Sequence, residues 1–68
     1  DAGLIGDQVR AVLQAHPAEL AAYRAGKSGL ANWFFGQVMR RAGGLANPQV
    51  IRAELERQLA AESSDDIP

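Results

Sequence analysis

Catalysis needs side chains that can exchange protons, attack or hold a developing charge, and in this 68-residue chain such groups are few and scattered. The single histidine, His16, directly precedes Pro17. Outside Asp1 and the far end, the carboxylates are Asp7, Glu19, Glu54 and Glu56, all expected on exposed faces. None pairs with His16 at a spacing that makes a general acid and base. Ser28, flanked by Lys27 and Gly29, reads more simply as a helix cap than as a nucleophile. With no cysteine and one histidine, thiolate zinc sites, disulfides and a histidine metal cluster are excluded. The expectation is a chain with no catalytic residue, no metal site and no cofactor of its own.

Two motifs point toward binding instead. Gly26-Lys27-Ser28 echoes the end of a phosphate-binding loop, but that loop needs a glycine where this chain has Ala21, and a preceding strand. What survives is a lysine beside the free N-H groups of a helix start, a seat for a phosphate oxygen, with a solvated lysine in a turn as the plain alternative. Trp33-Phe34-Phe35 has the composition of a base-stacking platform. Helical spacing, however, turns at least two of the three inward, which makes them core and leaves Trp33 at the edge as the aromatic to meet a partner.

Charge is distributed more tellingly than the net value of -1 suggests. Between Leu20 and Ala53 every charged residue is basic (Arg24, Lys27, Arg40, Arg41 and Arg52), while Glu62, Asp65 and Asp66 load the other end. If two helices fold about Gly26, Arg24 and Lys27 lie roughly 18 to 20 Å from Arg40 and Arg41 at 1.5 Å rise per residue. That span suits separate phosphates of a nucleic-acid backbone. Cations in a last helical turn also offset the helix dipole, so Arg40 and Arg41 have a structural explanation as well.

The elements that must position these residues are helical. Thirteen alanines and few β-branched residues favour an all-α fold. Ile5, Val9, Val12 and Leu13 mark one face of a first helix over 4–14. Pro17 opens a short second helix, with His16 at its cap, Leu20 and Tyr23 as anchors and Gly26 as its stop. A third, capped by Ser28, runs to Ala42 before Gly43 and Gly44, and its wide apolar arc makes it the buried centre of the domain. Its polar or small face, Asn32, Gly36 and Arg40, places a glycine where something is expected to come close to the helix backbone. Asn32, Trp33 and Gly36 form a candidate docking face for another domain or protein chain. Asn47-Pro48 starts a fourth helix with Ile51, Leu55 and Leu59 as its stripe and Val50 nearby. The result is a small bundle of three longer helices and one short one over 1–61, followed by a disordered acidic tail over 62–68. Such a short chain is expected to be a piece of a larger polypeptide. Nothing in it has the composition of a targeting segment or a membrane span.

From His16 to Leu59 the order of features resembles the C-terminal tail domain of the GatB/YqeY family. The matching residues are Pro17, Tyr23, Gly26-Lys27, Phe34-Phe35-Gly36-Gln37-Val38-Met39-Arg40, Gly43-Gly44, Ala46-Asn47-Pro48, and Val50 with Leu55 and Leu59. Leu45 stands where the family pattern has a basic residue, and His16 where it has asparagine. The resemblance implies a non-catalytic, tRNA-facing module of a cytoplasmic, bacterial protein of translation. In this family, the B subunit of a tRNA-dependent amidotransferase holds misacylated Glu-tRNA(Gln) or Asp-tRNA(Asn). Its larger body carries out the amidation with ATP, magnesium and ammonia delivered from the A subunit. The tail helps dock the outer corner of the tRNA, so the implied partners are tRNA, the rest of the parent chain, and the A and C subunits. The same module also occurs appended to some bacterial glutaminyl-tRNA synthetases, which leaves that parent open alongside a protein-docking role.

Overall fold

In the computed structural model, the chain is described over residues 2–43 and 46–63, with side chains over 4–43 and 46–61. The expected turn residue Gly44, the departure at Leu45 and the tail beyond Ser63 lie outside the described residues. The elements are α1 (Ala2–Ala15), α2 (Pro17–Arg24), α3 (Leu30–Ala42) and α4 (Pro48–Ser63), three longer helices and a short one. The class is all-α, as composition predicts. Helix α4 reaches two residues into the stretch expected to be tail, the usual scatter of helix ends.

Three helices share the core. Val9, Val12 and Leu13 of α1 meet Phe34 and Val38 of α3 and Ile51, Leu55 and Leu59 of α4. Among the described residues α3 contributes two of the eight buried side chains, and α1 and α4 three each, so, against the expectation, the core is shared among the three helices and not centred on α3 alone. Of its aromatic run only Phe34 is fully buried, while Trp33 and Phe35 are half-buried and pack on the core from its margin. Helix α2 buries no side chain completely and is held by Leu20 and Tyr23 against the other helices, as so short a helix requires.

The glycine that a neighbour approaches closely is Gly6, met by side chains of α4, and not Gly36. A Cβ added at Gly36 would meet nothing within 4 Å, whereas one at Gly6 would lie 3.2 Å from Glu54 Oε2. There α4 clamps α1: Gln58 Nε2 donates to the Gly6 carbonyl at 3.0 Å and to Glu54 Oε2 at 2.8 Å. The Glu54 carboxylate also accepts Arg57 Nε at 3.1 Å and a second bond from Arg57 Nη2. Glu54 is therefore half-buried, against the expectation of an exposed face, and Glu19 on α2 is half-buried as well. The hydrogen bonds to Glu54, from Arg57 first and then Gln58, hold its carboxyl below the ordinary carboxylate value.

The helix ends follow local chemistry. Gly26, at φ +123°, closes α2 in a Schellman arrangement, with Lys27 N-H donating to the Ala22 carbonyl at 3.1 Å and Gly26 N-H to that of Tyr23 at 3.0 Å. Gly43, at φ +76°, ends α3 with its N-H on the Met39 and Arg40 carbonyls. Asn47 caps α4 as predicted, its Oδ1 accepting the Gln49 N-H at 2.8 Å.

Candidate functional site

The turn that presents Lys27 is built differently from the sequence expectation. Gly29 occupies the cap position of α3, and no side chain caps the helix, so Ser28 does not do so. The N-H groups of Leu30, Ala31 and Asn32 instead donate to the carbonyls of Lys27, Ser28 and Gly29 at 3.1, 3.1 and 3.2 Å. Ser28 N-H is likewise taken, by the Gly26 carbonyl at 2.9 Å. These bonds occupy the N-H groups of Ser28, Leu30, Ala31 and Asn32, which leaves few open donors for a phosphate seat at this helix start. What remains is an exposed lysine held at one end of α3 by the Gly26 closure.

Arg40 and Arg41 lie in the last turn of α3, both exposed. The 13-residue helix is about 20 Å long, so they stand at the opposite end from Lys27, as the spacing predicted. Beside them the end of α1 leaves a cleft of about 340 Å3, lined by Val12, Ala15, His16, Gln37, Arg40 and Arg41. His16 packs its ring edge-on to Trp33 with centroids 4.9 Å apart, and its Nδ1 lies 3.9 Å from Glu19 Oε1. It occupies the cap position of α2 without a side-chain cap bond. Trp33 is also edge-on to Phe34 at 5.1 Å, so its indole joins the core to the wall beside His16.

The other two arginines lie apart from this cleft. Arg24 lines a cleft of about 380 Å3 with Arg10, Gln14, Leu20 and Gln58 among its walls. Arg52 stacks over the Phe35 ring, 4.3 Å from its centroid, and its Nη1 donates to Asn32 Oδ1 at 3.3 Å. That cation-π contact makes Arg52 a brace between α3 and α4 and gives Phe35 a second role beyond packing. The same cation lines a cleft of about 310 Å3 with Phe35, Pro48, Gln49, Ala53 and Glu56. The five predicted cations are thus distributed over several surfaces, with Arg40 and Arg41 brought together. Of the docking set, Asn32 is exposed but bonded to Arg52, Trp33 is committed to its neighbours, and Gly36 faces open space. Sequence reasoning passed over Gln37 and the cleft role of His16. Their sequence signal was proximity, His16 beside the proline that opens α2 and Gln37 one turn before Arg41, and neither is diagnostic without the α1–α3 crossing.

Among the described residues, no group of His, Asp and Glu is placed to hold a metal ion, and no helix is long and apolar enough to cross a membrane.

A family model described as the GatB domain matches residues 1–59. The chain is 48% identical over 59 residues to the B subunit of the aspartyl/glutamyl-tRNA(Asn/Gln) amidotransferase of Pelodictyon phaeoclathratiforme, covering 87% of this chain and 12% of the relative. The proteins of the same name from Oleidesulfovibrio alaskensis and Bordetella petrii are 48% and 46% identical over the same shares. The chain thus spans only about an eighth of the length of these relatives, 12%. No solved structure matches it. With a helical bundle whose order of turns, caps and apolar stripes follows the family pattern, and a family model matched across residues 1–59, the chain belongs to the GatB domain family.

Proposed function

We propose that this chain is a non-catalytic, tRNA-facing module from the B subunit of a tRNA-dependent amidotransferase, helping to dock misacylated Glu-tRNA(Gln) or Asp-tRNA(Asn) for amidation. The observation that carries the reading is the state of its cations. Lys27, Arg40 and Arg41 are exposed at the two ends of α3, and no described carboxylate lies within ion-pair distance of them. Charges left uncompensated at a separation of about 20 Å suit successive stretches of a phosphate backbone. Such contacts orient a nucleic acid without reading its sequence, and Arg24 and Arg52, on other surfaces, are secondary candidates for the same role.

In this reading ATP and magnesium belong to the larger body of a cytoplasmic parent protein that works with the A and C subunits. The names of the relatives support the amidotransferase parent over a glutaminyl-tRNA synthetase. A protein-docking role for Asn32, Trp33 and Gly36 has less support, since two of these side chains are already engaged within the fold.

Titrating the 68-residue chain with tRNA at low salt, beside a Lys27→Ala/Arg40→Ala/Arg41→Ala variant, tests the proposal. The variant is expected to bind at least about tenfold more weakly, the scale expected when several phosphate-binding cations are removed. Equal affinity would remove these residues from the interface, and no binding by either protein would refute the RNA-facing role.

A further inference from the structure

The cleft between the ends of α1 and α3 has more in it than a bare phosphate needs. Its lining includes the buried Val12, the exposed Ala15, and the exposed Arg40 and Arg41. Its walls add the Gln37 amide and the His16 imidazole, each of which carries both a donor and an acceptor when the imidazole is neutral. A phosphate only accepts hydrogen bonds, so acceptors on the wall are wasted on it, whereas a nucleobase edge uses both kinds of group. At about 340 Å3 the cleft falls at the small end of ligand pockets, and its lining mixes the apolar Val12 and Ala15 with polar and charged groups.

We infer that this cleft receives one unpaired ribonucleotide of the RNA partner, its base against Val12 and Ala15, with Arg40 and Arg41 on the flanking phosphates. This rests on the RNA-facing reading above and adds to it a preference for unpaired over paired RNA. Gln37 and His16 become positioning contacts to the base or the ribose. Because a duplex keeps its bases stacked and its edges paired, it meets only the exposed cations and places no base in the cleft.

The chain supplies its own reporter, since Trp33 is the sole tryptophan and lies edge-on to His16 at the cleft wall. The test is a fluorescence and affinity titration of the 68-residue chain with an RNA hairpin bearing an unpaired loop and with a fully paired RNA of equal length. Ala15→Leu, an exposed position that fills the cleft without changing charge, and Gln37→Glu, which sets a carboxylate against the phosphates, are measured alongside, with circular dichroism to verify helix content. The hairpin should change Trp33 emission and bind about tenfold more tightly than the duplex, and either variant should erase that advantage. Equal affinity for both RNAs, insensitive to Ala15→Leu, overturns the cleft assignment but leaves the RNA-facing reading standing. Failure of both RNAs to bind at low salt overturns both.

Discussion

At the residue scale, the two glycines that matter most for packing have opposite environments. Gly6 touches the Glu54 carboxylate, and Gly36 faces open space in the middle of α3. Gly36→Ala is therefore expected to stabilise the fold by roughly 0.5 to 1 kcal/mol through helix propensity alone, read as a higher urea midpoint. A loss of stability instead would mean that something covers this face. Glu54 governs behaviour in acid. Its folded carboxyl lies below the ordinary value of 4.5, so its contribution is present above that value and is lost as pH falls through the lower folded one. Urea unfolding at a series of pH values between about 6 and 3 should show a shallower acid loss in Glu54→Gln than in the parent chain. Parallel curves for the two proteins would contradict a stabilising role for the Arg57 and Gln58 hydrogen bonds.

At the element scale, the turns decide where the cations point. The Asn47-Pro48 start and the Gly43 end of α3 were readable because each rests on one residue's own chemistry, an Asx cap or a left-handed backbone. The α2–α3 turn was only half legible. Gly26 stops α2 as its sequence position indicates, yet α3 starts through carbonyls of the turn instead of the Ser28 hydroxyl, an outcome that depends on the path of the whole loop. Gly26→Ala places a Cβ on a backbone at φ +123° and should cost about 1 kcal/mol or more, measured by thermal or urea unfolding. Because the turn also orients Lys27, tRNA affinity should fall alongside stability in this variant. An unchanged unfolding midpoint would show that the closure is not needed. The division of the core was the least legible part, since a wide apolar arc on α3 does not reveal that α1 and α4 supply most of the buried side chains. Periodicity names the face of a helix, but crossing geometry decides how deeply each face is sunk.

At the scale of the whole molecule, a small helical bundle places exposed cations at both ends of α3, away from the described carboxylates. The all-α class, the four elements and the family were legible from sequence because each rests on many residues agreeing. The grouping of His16, Gln37, Arg40 and Arg41 around one cleft was not, because it joins the α1–α2 corner to the far end of α3. The most direct test of the central claim is the salt dependence of tRNA binding by the parent chain and by Lys27→Ala/Arg40→Ala/Arg41→Ala. The account predicts a steep fall of log affinity with log salt for the parent, and a slope about 2 to 3 shallower for the variant, at roughly 0.7 to 0.9 for each phosphate no longer neutralised. Slopes that coincide would contradict it, because these cations would then have released no counterions from the RNA.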